Sequence, residues 1–139
     1  MNDSPSDAVA GRLDALDEAE CRRLLAQRSV GRIAMVLDGV PVILPVNCTV
    51  DGQDVVFRTS EHGLLGMAAT WGRPVAFQVD SIDENGDAGW SVMVQGELRE
   101  VLGEEAAELA LRVAPAAGGD RPLVGRVVAS TTSGRRIGG

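Results

Sequence analysis

Residues 30–59 read VGRIAMVLDGVPVILPVNCTVDGQDVVFRT and contain three apolar, β-branched runs separated by two Asp-Gly pairs. Runs of this length and composition favour β-strands. Asp38-Gly39 and Asp51-Gly52 predict tight turns, since glycine accepts a positive φ without steric penalty. Three strands joined by two such turns form an antiparallel meander. Pro41 and Pro45 lie inside the second run, and because proline cannot donate to a ladder, we expect an open edge or a bulge there.

The rest of the chain adds three strands and three short helices. The predicted strands are Pro74 to Asp80, Gly89 to Val101 and Leu123 to Ala129; the predicted helices run from Asp17 to Gln27, from Ser60 to Trp71 and from Glu104 to Ala114. Six strands predict a mainly β fold, a small six-stranded barrel, because closure removes exposed strand edges. We expect one domain over residues 13–139, preceded by a flexible tail over residues 1–12.

Composition excludes several kinds of protein. The chain has no lysine, which excludes a covalent pyridoxal phosphate site and a Walker-type phosphate loop. A single histidine, His62, cannot build a multi-histidine metal site, and no metal is predicted. The net charge of −7 argues against nucleic acid or an anionic membrane as a partner. With no signal peptide in residues 1–10 and only two distant cysteines, a cytoplasmic location is expected.

The first candidate site is Phe57-Arg58-Thr59-Ser60, at the junction of a predicted strand and a predicted helix. Unpaired backbone N–H groups at a helix N-terminus suit an anion, and an arginine adds a donor fork that matches phosphate. An ordinary helix cap beside a solvated arginine explains the same pattern, and spacing alone favours that interpretation.

Three further segments are candidates. Pro45-Val46-Asn47 interrupts a ladder and offers an amide that both donates and accepts. Trp90 could stack on a ring, fill an interface or pack in the core, whereas Ser91 lies on the opposite face of the strand. The arginines of the segment Gly134-Arg135-Arg136-Ile137 could reach an anionic ligand or a partner subunit, although solvated charge is the usual role of such a pair.

In this order, the segments VGRIA, PVILPVN, DVVFRT, PVAFQVD, GWSVMVQG and SGRRI resemble the pyridoxamine 5′-phosphate oxidase-like proteins, specifically the short flavin-binding split barrels. The resemblance covers roughly residues 13–137. It implies a homodimer that binds FMN in two clefts at its interface. It places the phosphate on Arg58, Thr59 and Ser60, the ring edge near Pro45 to Asn47 and Ser91, and Trp90 and Arg135 on the interface side. Some relatives bind the deazaflavin F420 or haem instead.

One position departs from that family. Leu64 stands where many relatives have a lysine that contacts the phosphate. A lost charge-assisted hydrogen bond weakens binding by roughly ten- to a hundredfold. The resemblance implies an FMN-dependent oxidoreductase acting on an unidentified small molecule, with no side chain assigned as catalytic. The alternative is a non-catalytic protein of the same fold that binds F420, haem or no cofactor.

Overall fold

A computed structural model describes residues 13–60, 72–113 and 122–138. These residues form seven strands and two helices, which are β1 (Leu13–Ala15), α1 (Glu18–Leu25), β2 (Val30–Leu37), β3 (Val40–Asp51), β4 (Asp54–Ser60), β5 (Pro74–Ile82), β6 (Gly89–Val101), α2 (Gly103–Ala110) and β7 (Pro122–Ile137). The predicted mainly β fold is confirmed, with six long strands in a closed barrel. The predicted tail over residues 1–12 lies outside the described residues, and so does the predicted helix after Ser60. Neither described helix is long and apolar enough to cross a membrane.

The strands follow the order β1-β7-β4-β3-β2-β5-β6, and pairing between β6 and β7 closes the barrel. The meander forms as predicted, with positive φ at Asp38 (51°), Gly39 (78°) and Gly52 (62°). β7 is longer than predicted: the polar residues after Ala129 continue the strand because β6 pairs with it to its end, across a bulge at Gln95/Gly96. The short strand β1, which the sequence did not predict, pairs with the last residues of β7.

The two helices begin close to where the sequence places them. The Asp17 side chain accepts a hydrogen bond from the Glu20 backbone N–H at 2.8 Å, so the predicted cap of α1 is confirmed. Helix α2 ends at Ala110, earlier than predicted. Helix α2 and the turn after it pack on the outside of the barrel, where Leu109 and Val113 form one buried cluster with Val56 and Val124.

The open edge predicted at the prolines is confirmed in β3. This strand pairs with β2 from Val40 to Asn47, but with β4 only from Asn47 to Asp51. The Cys48 N–H donates to the Ser29 carbonyl at 2.9 Å, so even-numbered residues of β3 direct their backbone groups toward β2. Pro41 and Pro45 therefore face the other side, where no described strand needs their missing N–H.

The barrel core contains both phenylalanines of the chain, each fully buried. Each ring lies against a glycine in a neighbouring strand. A Cβ on Gly125 would lie 2.3 Å from the Phe57 Cζ atom, and one on Gly31 would lie 2.2 Å from the Phe77 Cζ atom. The rings fill the barrel because these two positions carry no side chain.

Candidate functional site

The predicted site residues whose side chains leave the core lie on the outward side of the sheet, which we call the outer face. Side chains of a strand alternate between its two faces. In β3, Asn47 lies between the buried Val46 and Cys48, so it belongs to the outer face. In β6, Ser91 lies between the buried Trp90 and Val92 and belongs to the same face.

Arg58 borders this face and lies directly opposite Asn47 in the β3–β4 register. Its Nη1 atom donates to the carbonyl oxygens of Ala110 and Val113, both at 3.2 Å. These carbonyls belong to the end of α2 and the turn that follows it, where carbonyl groups lack helical partners. Arg58 thus holds the end of α2 against β4, and in turn the guanidinium is held in one position.

The Nε side of the Arg58 guanidinium forms no such hydrogen bond with a described residue. Its Nε atom is buried and has no hydrogen-bond partner among the described residues. A buried donor without an acceptor costs about 1–3 kcal/mol. Nε and one terminal nitrogen of a guanidinium form a fork that matches two oxygens of a phosphate or carboxylate. The residues present therefore fit the phosphate group of a flavin nucleotide.

The predicted neighbours of Arg58 are only partly described. Thr59 is half-buried next to it, and Ser60 is the last residue of β4. His62 and Leu64 lie outside the described residues, so the predicted consequence of Leu64 stays a prediction.

Three predicted site residues have their side chains in the barrel core. Val46 and Trp90 are 6% and 8% exposed, and Phe57 is fully buried. For Trp90, the structure shows core packing, which was one of the alternatives open from the sequence. Its side chain does not lie on the outer face that carries Ser91, because adjacent residues of a strand point to opposite faces. In this arrangement only the backbone of these three residues can meet a ligand there.

Ser91 pairs directly with Arg135, whose side chain is exposed. Between this pair and Asn47 lie strands β2 and β5. At 4.7–4.9 Å per strand, β3 is about 14 Å from β6 along the sheet. Although β7 also pairs with β4, it places Val124 opposite Arg58, and Arg135 lies much further along the strand. The structure thus brings Asn47 together with Arg58, and Ser91 together with Arg135, but keeps the two pairs apart within one chain.

Neither cysteine offers a reactive thiolate. Burial raises the pKa of Cys48 to about 11. Burial also raises the pKa of Cys21, and the nearby carboxylates of Asp17, Glu20 and Glu18 act in the same direction. Both thiols are therefore protonated at neutral pH and have the character of core residues.

Sequence reasoning missed the role of the α2 terminus. The carbonyls that hold Arg58 are 52 and 55 residues further along the chain. Backbone carbonyls carry no sequence signal, and nothing in the composition of α2 connects it with β4. These two carbonyls could be identified only from the way that distant segments of the chain pack together in the fold.

Comparison with known proteins identifies a matching family model and proteins of similar sequence and fold. The family model for pyridoxamine 5′-phosphate oxidase matches residues 17–136. An uncharacterized protein of Mycobacterium tuberculosis is 38% identical over 95 residues, which are 65% of this chain and 62% of that protein. An FAD-binding protein from Mycobacterium smegmatis is 34% identical, with a TM-score of 0.75 over 88% of this chain and 98% of its own. An FAD-binding protein from Mesorhizobium loti has the same fold, with a TM-score of 0.76, 20% identity and coverage of 91% of this chain and 97% of its own.

Proposed function

We propose that this chain, which belongs to the pyridoxamine 5′-phosphate oxidase family, binds FMN between two copies of its barrel and acts as a flavin-dependent oxidoreductase. The observation that carries the proposal is the Nε atom of Arg58, which is buried and has no partner within the part of the chain that the structure describes. It lies beside Asn47, at the position predicted for the phosphate end of the cofactor.

Arg58 is suited to hold a phosphate without a lysine. Because its other side is fixed by two carbonyl oxygens, little side-chain entropy is lost when an anion binds. A phosphate at Nε would give the buried donor its missing acceptor and would form charge-assisted hydrogen bonds. FAD, named for the relative from Mycobacterium smegmatis, carries the same ring system and a phosphate at the same position, so it is the natural comparison for FMN.

The separation of the two residue pairs supports a homodimer. The predicted ring contacts at Asn47 and at Ser91 belong to different strands about 14 Å apart. If a second copy brings its Ser91 and Arg135 to the Asn47 and Arg58 of the first, one cofactor can meet both pairs. Apolar side chains on this side of the barrel are exposed, Val30 by 53% and Met93 by 36%, and a partner subunit would bury them.

A bound flavin supplies the redox chemistry, by accepting or donating a hydride or single electrons. The protein's part is to bind and orient: Arg58 holds the phosphate, and Asn47 and Ser91 form hydrogen bonds at the edge of the ring. The raised pKa values of both cysteines exclude them as thiolate nucleophiles at neutral pH. No side chain is proposed as an essential acid or base. A cytoplasmic location and a small-molecule substrate stay predictions.

Flavin titration tests the proposal. Riboflavin, FMN and FAD are added to the purified protein, and quenching of flavin fluorescence gives each Kd. We expect FMN to bind about ten- to a hundredfold more tightly than riboflavin, because only FMN carries the phosphate. In Arg58→Met this preference should disappear, whereas in Arg22→Gln, on the exposed side of α1, it should persist.

Several results would contradict the proposal. Among them are no quenching at tens of micromolar flavin, equal affinities for riboflavin and FMN, or a haem Soret band in the purified protein. Light scattering during the titration measures the mass, and a monomer that binds FMN with full affinity would refute the shared cleft.

A further inference from the structure

Two arginines bind the α2 terminus, residues 110–113, to the barrel from opposite directions. Arg58 of β4 donates to the carbonyl oxygens of Ala110 and Val113. Arg112 lies between those two residues in the sequence, and its side chain reaches the end of β3. One arginine therefore holds the backbone of the terminus, and the other belongs to the terminus and holds the barrel.

Arg112 contacts β3 at two points. Its Nη2 atom donates to the Val50 carbonyl oxygen at 2.6 Å, and its Nη1 atom donates to the Asp51 carboxylate at 3.1 Å. Both residues lie in the part of β3 that pairs with β4, the strand that carries Arg58. The α2 terminus is thus tied to both strands of the β3–β4 hairpin.

Asp51 is itself held in place by a further arginine. Its Oδ2 atom accepts a hydrogen bond from Arg126 at 2.8 Å, and the side chain of Arg126 is only 15% exposed. Hydrogen bonds from Arg126 and then Arg112 keep the pKa of Asp51 below its ordinary value, so the carboxylate is charged at neutral pH. An isolated exposed ion pair contributes little, but Arg112 binds a carboxylate that is already oriented, and less side-chain entropy is lost when this pair forms.

The anchor at Arg112 bears on the direction of the two carbonyls. Leu109 and Val113 pack in the buried cluster between α2 and the barrel. Apolar burial has no directional preference, so it does not fix how a peptide group is turned, whereas hydrogen bonds have preferred angles. Because Arg112 lies between the two carbonyl-bearing residues, holding its side chain limits the orientation of the backbone on both sides.

We propose that Arg112 is a positioning residue for phosphate binding. By holding the α2 terminus on β3, it orients the carbonyls of Ala110 and Val113, and these direct the Nε side of Arg58 toward the phosphate. Arg112 acts through Arg58, since its own guanidinium is engaged by Val50 and Asp51. This role rests on the proposed function, because the phosphate is that of the flavin.

The preference for FMN over riboflavin tests the role of Arg112. We expect Arg112→Gln to reduce this preference about two- to tenfold, the effect of leaving one long side chain to be ordered by the ligand, and to leave the Kd of riboflavin unchanged. Arg112→Lys should restore part of the preference, because an ammonium group can still donate to the Val50 carbonyl and to Asp51. Arg22→Gln is the matched control, since it also removes a half-exposed arginine that is paired with a carboxylate.

A second measurement follows Arg58 without flavin. NMR relaxation of its Nε–Hε group gives an order parameter, which should be lower in Arg112→Gln than in the natural chain and in Arg22→Gln. If Arg112→Gln does not fold, Asp51→Asn weakens the same contact from the β3 side and should change both readouts in the same direction.

The two readouts separate failure of this role from failure of the proposed function. Equal affinities of the natural chain for riboflavin and FMN would refute the proposed function, whereas a lowered Arg58 order parameter would still support the link from Arg112 to Arg58. An unchanged FMN preference or an unchanged order parameter in Arg112→Gln would overturn the inference. It would also be overturned if Arg58→Met kept a preference that Arg112→Gln then removed, since Arg112 would be touching the phosphate itself.

Discussion

Alanine at Gly125 tests how the barrel holds Phe57. Gly125 pairs directly with Phe57 across β4 and β7. A Cβ there would lie 2.3 Å from the Phe57 Cζ atom and 2.7 and 2.8 Å from the two Cε atoms, whereas ordinary contact begins at 3.4 Å. The ring must therefore move by about 1 Å, the difference between 3.4 and 2.3 Å. Phe57 is fully buried, so it can move only by displacing its neighbours.

Overpacking of this kind costs about 1–3 kcal/mol, a large share of the 5–15 kcal/mol that stabilises a typical domain. We expect Gly125→Ala to lower the free energy of unfolding by about 2–3 kcal/mol, at the upper end because three ring atoms clash. Urea unfolding followed by tryptophan fluorescence measures this value, since Trp90 lies in the same core. The dependence of the free energy on urea concentration should stay unchanged if only native packing is affected.

A double-mutant cycle separates this clash from other effects of the substitution. Phe57→Leu alone removes ring atoms and should cost about 1–2 kcal/mol. In Gly125→Ala/Phe57→Leu the clash is gone, so the double variant should be at least about 1 kcal/mol more stable than the sum of the single effects predicts. Gly31→Ala is the matched control, because its Cβ meets Phe77 and Phe57→Leu should not rescue it. Additive effects at Gly125, or equal rescue at Gly31, would refute the reasoning.

Two further predictions concern pH. Hydrogen bonds from Arg126 and then Arg112 hold the pKa of Asp51 below its ordinary value, so this carboxylate stabilises the fold above about pH 4, and the gain is lost as pH falls through the lowered pKa. Urea midpoints between pH 2 and 6 should fall more steeply for the natural chain than for Asp51→Asn; parallel curves would contradict this. Burial raises the pKa of Cys48 to about 11, so ionisation in the unfolded chain above about pH 9 should lower stability, by about 1–2 kcal/mol at pH 10.5. Cys48→Ala should reduce that loss of stability, and Cys21 should account for the remainder. An unchanged loss would show that burial does not raise the pKa of the Cys48 thiol.

Part of the site was predictable from local patterns. Alternation along β6 places Ser91 on the face opposite Trp90, and the structure agrees. The two prolines of β3 predicted its open edge, and Asp17 predicted the start of α1. Each of these rests on residues a few positions apart, whose conformational preferences act whatever the rest of the chain does.

The sequence by itself determined the meander over residues 30–59, its turns and which side chains share a face, because strand periodicity and glycine conformation are local properties. Only the tertiary structure decided that β7 continues to Ile137 and that Arg58 holds the end of α2. It also decided that the Nε atoms of Arg58 and Arg73 are left without partners among the described residues. Which donors remain unpaired depends on contacts between distant segments, and no local pattern encodes those contacts.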